Sequence, residues 1–446
     1  MTSPARLSLA ALLCALSWGF SFASSRATET DPPHLVLEPM IGHVTSTSAI
    51  VWAKASGPAA MSVLLGQAAD LSDGQEFRDA PLREESGFTG KLLIEKLAPA
   101  QRYHYCVLLD GTPMMSPPYP AFHTAPPEGE PGRVRFAFTS CVGDHGYNSA
   151  AGFADMTRTN FDLLLLLGDN HYANTNAATV QRRFYHEQRD TPGYRHLCRQ
   201  IPTYGIWDDH DYGPDNSDRT LPGKEESLRT FREHWPNPGF GEPDNPGVYF
   251  KFTRGQVEFF MLDVRYHRDP NKATNAAGKT MLGARQTAWL KRALLESRAR
   301  LKVIASGSEW HSHGTDDSWT SFKQERDDIF AHIMTNKIEG VLLISGDRHF
   351  TAAYQVRGQW IEVTSGPIGS SNAKTKNLPE MFLNFSDSKA KFYCIYDLDT
   401  RPETPVVTLE VYRVGEGLAH RRVFTWDEVL GNTKIPPLPA LPPTAR

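Results

Sequence analysis

Cysteine is scarce in this chain of 446 residues: there are five, and no two stand at Cys-x-x-Cys spacing, which excludes a structural zinc site of that kind. A basic excess is also missing. The 47 Lys and Arg face 51 Asp and Glu, for a net charge of -4, so no nucleic-acid-binding face that neutralises phosphates is expected, whereas a phosphate held through a metal stays open. With 40% hydrophobic residues the chain is too polar for a multi-span membrane protein, and it carries no internal repeat. Aromatics, in contrast, are plentiful at 9 Trp, 15 Tyr and 23 Phe, enough to exclude disorder over most of the length. A chain longer than one ordinary core predicts two soluble domains.

Residues 1–23 read as a signal peptide. Met1 to Arg6 carries one positive charge, Leu7 to Phe20 is mostly apolar, and Ser21-Phe22-Ala23 offers small residues where a signal peptidase cuts. The apolar stretch is shorter than the ~20 residues a membrane span needs. No twin arginine precedes it, which points to the general secretory route, and Leu12-Leu13 place bulk ahead of Cys14 where lipid attachment requires a small residue. A secreted or periplasmic protein with no membrane span after cleavage is expected. Losing Cys14 leaves Cys106, Cys141, Cys198 and Cys394.

From His34 to about Thr124, short apolar runs such as Ile50 to Ala53, Met61 to Leu65, Lys91 to Ile94 and Tyr103 to Leu109 alternate with turn formers. This predicts a small all-β sandwich over 32–125, and Leu97 to Tyr105 resembles the turn entering a late strand of fibronectin type III-like domains. The Pro/Gly segment 126–132 makes a linker. From 133 to 430 strand-like runs alternate with helical periods, among them Gly283 to Ala299 and Phe322 to Asn336, the pattern of a layered α/β domain. Residues 431–446 form a Pro-rich tail.

In that second domain six apolar runs each stop at polar, ligand-capable residues. They end at Ser140-Cys141, at Gly168-Asp169-Asn170-His171-Tyr172, at Asp208-Asp209-His210-Asp211, at Asp263-Val264-Arg265, at Ser308-Glu309-Trp310-His311-Ser312-His313 and at Gly346-Asp347-Arg348-His349. Strand ends of one polarity converge on one rim, where α/β sheets bind ligands. Asp, His, Asn and Tyr with one thiolate suit iron, zinc, manganese or calcium. Carboxylates gathered there would repel one another unless cations neutralised them, and two cations clamping an in-line displacement use such a set well.

Five elements in order, Ser140-Cys141, Gly168-Asp169-Asn170-His171-Tyr172, Trp207-Asp208-Asp209-His210-Asp211, Leu262-Asp263-Val264-Arg265 and Ser345-Gly346-Asp347-Arg348-His349, resemble the alkaline phosphatase D (PhoD-like) family of secreted metallophosphatases. The resemblance extends through Asp317-Ser318-Trp319 to Glu325-Arg326 and covers nearly all of the mature chain. It implies a layered α/β/β/α metallophosphoesterase-like sandwich behind a fibronectin III-like domain. It further implies hydrolysis of phosphomonoesters, phosphodiesters or both by a metal-bound hydroxide, with ferric iron and a second divalent metal, calcium or else zinc or manganese.

The resemblance also implies residue roles. Asp169 would bridge two metals, Tyr172 and Cys141 would bind the iron, Asp209 the second metal, Asp347 and His349 would close the site, and Asn216 would add an oxygen. His210 would protonate the leaving group or bind phosphate, and Arg265 would grip phosphate oxygens bidentately. His171 stands where the family more often has an aliphatic residue, so a titratable group tuning the pH optimum is expected there. His311-x-His313 reads as a solvated loop or a third metal site. If Cys141 is a ligand, Cys198 with Cys394, or no disulfide, is expected. A phospholipase-like phosphodiesterase on large substrates and a noncatalytic secreted binding protein with a degenerate phosphatase domain are the competing readings.

Overall fold

The five consecutive leucines of Leu163–Leu167 are all buried, as a parallel strand covered on both faces requires. In the computed structural model, which describes residues 31–438 except 275–277, 312–314 and 387–388, this strand runs parallel to Arg133–Thr139 and Thr203–Ile206. Phe392–Asp399 pairs antiparallel with Arg133–Thr139, and Val406–Arg413 and Gly417–Phe424 complete a six-stranded sheet. A seven-stranded sheet follows the order Phe250–Arg254, Val257–Met261, Leu301–Ser306, Val341–Ser345, Trp360–Thr364, Thr351–Val356, Met381–Phe385. Four of its five inner strands, Val257–Met261 to Trp360–Thr364, are parallel. Residues 1–30, which include the expected signal peptide, and residues 439–446 of the tail lie outside the described residues.

Period-two alternation sorts the strand residues between two cores. Phe259, Met261, Val303, Ala305, Leu342 and Ile344 pack with the six-stranded sheet, where Phe136 meets Phe259 edge to face at 5.1 Å. The intervening Phe260, Ile304 and Leu343 face helices Gly283–Glu296 and Lys323–Thr335 through Leu290, Leu294, Ile329 and Phe330. Across the six-stranded sheet, Tyr393 projects away from the shared core and its hydroxyl donates to Asp155 at 3.2 Å, which places helix Gly146–Met156 on the outer face. The layers are α/β/β/α, as expected.

Ahead of them, a three-stranded and a five-stranded sheet enclose their own core around Ile41, Val51, Val63, Ile94 and Val107. Trp52 leaves that core and joins the large one. Its indole N–H donates to the Glu233 carbonyl at 2.8 Å, and the Arg189 guanidinium sits 4.8 Å from its ring, so its polar edge and its face are both used. The His43 N–H donates to the Pro236 carbonyl at 2.9 Å, and the Tyr105 hydroxyl to the Arg199 carbonyl at 2.8 Å. The linker is pinned as well: Gly129 donates to Gly255, and Gly132 to Thr400 Oγ1 at 3.0 Å.

Cys106, Cys141, Cys198 and Cys394 are all buried free thiols. The Cys198–Cys394 pairing is therefore not formed. Burial raises Cys198 to about 11 and Cys394 to about 12, so both are inert packing groups. Among the described residues no helix is long and apolar enough to cross a membrane.

Candidate metal centre

Three of the expected ligands sit where strands end in a left-handed elbow. Cys141, Asp169 and Asp347 have φ of 59°, 52° and 63°, a conformation that costs a non-glycine residue about 1–3 kcal/mol and persists only where the surroundings enforce it. Here backbone hydrogen bonds enforce it. Val142 donates to the Asp169 carbonyl at 3.1 Å, Gly346 to Gly307 at 3.0 Å, and Gly369 and Ser370 both to Cys141. Close approach of the two sheets also demands Gly346, where a Cβ would stand 2.4 Å from the Leu167 oxygen and 2.8 Å from Ser140 Cβ.

These elbows bring two donor clusters together. Cys141, Asp169 and His349 place one donor atom each within 4.8 Å of the others, and so do Asp169, Asp209 and His210, with Asp169 common to both. The Tyr172 hydroxyl lies 3.2 Å from Asp169 Oδ2 and 3.1 Å from His349 Nε2. The Cys141 thiol donates to Asp169 Oδ2 and to the Asp347 carbonyl, each at 3.5 Å. Asn216 is different. It is exposed in a left-handed turn, its side chain donates to Asp215 at 2.6 Å and accepts from Asn271 at 3.3 Å, and its backbone N–H donates to Asp209 Oδ2 at 2.7 Å. Asn216 thus clamps Asp209 through its backbone, with its side-chain oxygen turned to Asn271.

The electrostatics call for cations. Burial, then the charges of Asp209, Asp208, Asp211 and Asp347, push the Asp169 carboxyl well above its usual range. Asp347 is likewise raised, first by burial, against the opposing pull of Arg348. Burial, then Asp169, raises Cys141, and the same order holds for Tyr172. Asp169 Oδ1 is buried without a hydrogen-bond partner, and Asp347 Oδ2 has none either, with only the Arg348 guanidinium nearby at 3.2 Å. Buried carboxylates with orphaned oxygens beside a thiol and a phenol fit metal ions, whose charge reverses every one of these shifts.

A family model for PhoD-like phosphatases matches residues 136–397, more than half of the chain, and a model of a domain of unknown function (DUF7800) matches 32–127. The chain belongs to the PhoD-like phosphatase family. Alkaline phosphatase D of Bacillus subtilis is 25% identical over 292 residues, 53% of this chain and 49% of that protein, so the match spans about half the length of that relative. Purple acid phosphatase 23 of Arabidopsis thaliana is 24% identical over 350 residues, 72% of this chain and 69% of that one. The fold is similar to that in a structure of PhoD, at TM-score 0.71 and 16% identity over 90% of this chain and 94% of that chain. It is also similar to purple acid phosphatase PPD1 from yellow lupin (Lupinus luteus) seeds, at TM-score 0.65 and 13% identity over 91% and 77%.

Within this PhoD-like framework the geometry corrects several expected roles. Arg265 is fully buried: its Nε donates to Asp208 Oδ1 at 2.5 Å and its Nη2 to Asp317 Oδ2 at 3.0 Å, with Asp209 Oδ1 at 3.9 Å. It stands behind the ligands instead of reaching phosphate. Burial, the largest single influence, would raise Asp209, but Arg265 together with His210 and the Asn216 N–H outweighs it and holds the carboxyl low. Asp208, buried beside Asp209, is raised to about 6 by burial against the pull of Arg265. His171 is buried edge-on to Tyr185 at 4.4 Å, and burial lowers it to about 3, so it packs as a neutral ring. His311 stacks on Tyr354 at 4.4 Å and lies 3.5 Å from Glu380, a structural setting, while His313 falls outside the described residues.

In front of the clusters opens a cleft of about 870 Å³ whose lining includes Asp209, His210, Asp347, Arg348 and His349. Two residues beside it carry no role in the sequence pattern. Asn174 Oδ1 lies 2.5 Å from His210 Nδ1, while its Nδ2 donates to the Tyr172 carbonyl at 3.2 Å. Asp317 holds both Arg265 and Arg268. Asp211 was visible in the Trp207 to Asp211 run, and its role is local: its carboxylate accepts from the N–H groups of Asp208 at 2.8 Å and Asn170 at 3.1 Å.

Proposed function

We propose that the chain is a metal-dependent phosphatase that hydrolyses phosphomonoesters, phosphodiesters or both outside the cytoplasm. The observation that carries this reading is Asp169, one buried carboxylate common to two donor clusters beside a cleft that other members of both clusters line. Cys141, Asp169, Tyr172 and His349 would hold ferric iron, which suits thiolate and phenolate. Asp169, Asp209 and Asp347 would hold a divalent cation, calcium by their hard oxygens, with zinc or manganese as the other candidates. When bound, the two cations supply the positive charge that activates water and stabilises phosphoryl oxygens.

The chain's own groups orient and move the proton. Because Asn174 Nδ2 is committed to the Tyr172 carbonyl, its Oδ1 accepts from His210 Nδ1–H, leaving Nε2 on the side of Asp215, 3.8 Å away. Stacking on Tyr172 at 4.1 Å holds the ring. His210 Nε2 would pass a proton to the ester oxygen as the bond from that oxygen to phosphorus breaks, while the water whose oxygen binds phosphorus releases one proton to solvent, from which His210 is reprotonated. Export rests on the charged and apolar order of residues 1–23. The cleft volume favours a second reading, phosphodiesters with a large leaving group, separable by competing mono- and bis-substituted phosphates. A noncatalytic binding protein would bind no pair of cations tightly. In the deciding experiment, Asp169→Ala should abolish hydrolysis of a chromogenic phosphate ester and lower bound metal, and normal turnover by that variant would sink the proposal.

A further inference from the structure

Arg348 lies between Asp347 and His349, yet its side chain belongs to neither donor cluster and lines the cleft. Its guanidinium is held along one edge. Nη2 donates to Thr315 Oγ1 at 2.6 Å and to the Asp317 carbonyl, and also lies 3.2 Å from Asp347 Oδ2. Nε lies 3.5 Å from Oε2 of Glu309, a fully buried carboxylate at the end of the strand Leu301–Ser306 that also takes a hydrogen bond from Tyr354. Nη1 makes no hydrogen bond within the described residues. The other cations of the cleft are unlike this one: Lys272 and Lys374 stand exposed on loops, and Arg265 is enclosed behind the ligands.

A planar guanidinium hydrogen-bonded through Nη2, with Nε facing a buried carboxyl group at 3.5 Å and Nη1 left for a ligand at the wall of the cleft, is a preorganised anion contact that loses little freedom when the anion arrives. We infer that Arg348 binds a nonbridging phosphoryl oxygen through Nη1 and that Glu309 is its positioning residue, holding the guanidinium from behind. This rests on the phosphate-ester reading above and moves the anion grip from Arg265 to a residue that faces the cleft. A lysine could not reproduce the arrangement, since a single ammonium cannot face Glu309 and the anion along separate edges.

The test uses the full-length metal-loaded protein, inorganic phosphate as ligand and titration calorimetry, with the KM for a chromogenic monoester beside it. Arg348→Ala should weaken phosphate roughly 10- to 100-fold, the range for a hydrogen bond to a charged group, with metal content unchanged. Arg348→Lys should recover only part of this. Glu309→Gln should weaken phosphate less than Arg348→Ala does, and should add nothing in the Arg348→Ala background, because its effect passes through the guanidinium. Phosphate affinity unchanged in Arg348→Ala, or metal lost from it, would overturn the substrate contact. A Glu309→Gln effect that persists without the arginine would overturn the positioning role. Calorimetry reports whether or not the wild-type protein turns over ester, so an inactive but phosphate-binding wild type would count against the phosphatase reading and leave the Arg348 result standing. Should Glu309→Gln fail to fold, the Ala and Lys variants of Arg348 still decide the anion contact.

Discussion

Replacing Arg265 by methionine keeps most of the side-chain volume and removes the charge that Asp208 and Asp317 share. Asp208 is fully buried with Oδ2 already lacking a hydrogen-bond partner, so losing the 2.5 Å bond to Arg265 Nε leaves a carboxyl with no cation in contact. Breaking a buried pair in this way costs about 3–5 kcal/mol, a large part of the ~5–15 kcal/mol by which folded domains are stable. Urea unfolding followed by intrinsic fluorescence should therefore show a much lower midpoint for Arg265→Met. The double variant Arg265→Met with Asp208→Asn should recover part of the loss, because the stranded charge is gone. If Arg265→Met unfolded at the wild-type midpoint with full metal content and a KM raised tenfold, the guanidinium would be gripping substrate and the structural assignment refuted.

The Tyr172 hydroxyl lies 3.1 Å from His349 Nε2; in iron-loaded protein Tyr172→Phe should remove the phenolate share of the visible charge-transfer absorption and leave only what Cys141 contributes, and a spectrum kept unchanged would remove Tyr172 from the iron. Gly346→Ala, whose Cβ would stand 2.4 Å from the Leu167 oxygen, should lose about 1–3 kcal/mol of stability by overpacking, and a wild-type melting temperature would show that the two strand ends can part. Burial raises Glu362 from 4.5 to about 7. Between those values the unfolded chain sheds a proton that the folded chain keeps, so this group's contribution is complete below about 4.5 and is lost as pH rises to about 7, about 3 kcal/mol in all. Glu362→Gln should flatten that fall, and an unaltered slope in urea melts across that window would exclude Glu362 as its source.

Six apolar runs were legible because each stops at residues that no core accepts, and parallel pairing then forces their ends to one rim. Cys141, Asp169, Tyr172, Asp209, His210 and His349 meet for that reason. Arg265 was misplaced because an arginine after a strand carries no mark of which way it turns. Its partners Asp208 and Asp317 lie 57 and 52 residues away, and loop packing, which has no period, decides the direction. Asn216 was hard to place for a similar reason: its αL turn offers the backbone N–H to Asp209 while its amide pairs with Asp215 and Asn271. His171 looked titratable by residue type alone, and only burial against Tyr185 makes it an apolar ring. Asn174 could have been suspected from its place two residues after Tyr172, but its hold on His210 spans 36 residues.

Trp52 belongs by sequence to the first sandwich and by packing to the catalytic core. A protease that cut at 126–132 would leave two pieces still joined through Trp52, His43 and Tyr105. Separating them would strip the cover from Arg189, whose Nη1 and Nη2 lack hydrogen-bond partners and whose charge rests on the rings of Trp52, Tyr185 and Trp235. Tyr185 is also the ring against which His171 packs, between Asp169 and Tyr172. The modular border drawn along the chain is thus no seam for truncation or domain exchange: a catalytic fragment starting at 133 would inherit a bare guanidinium one aromatic ring away from its own metal-site loop.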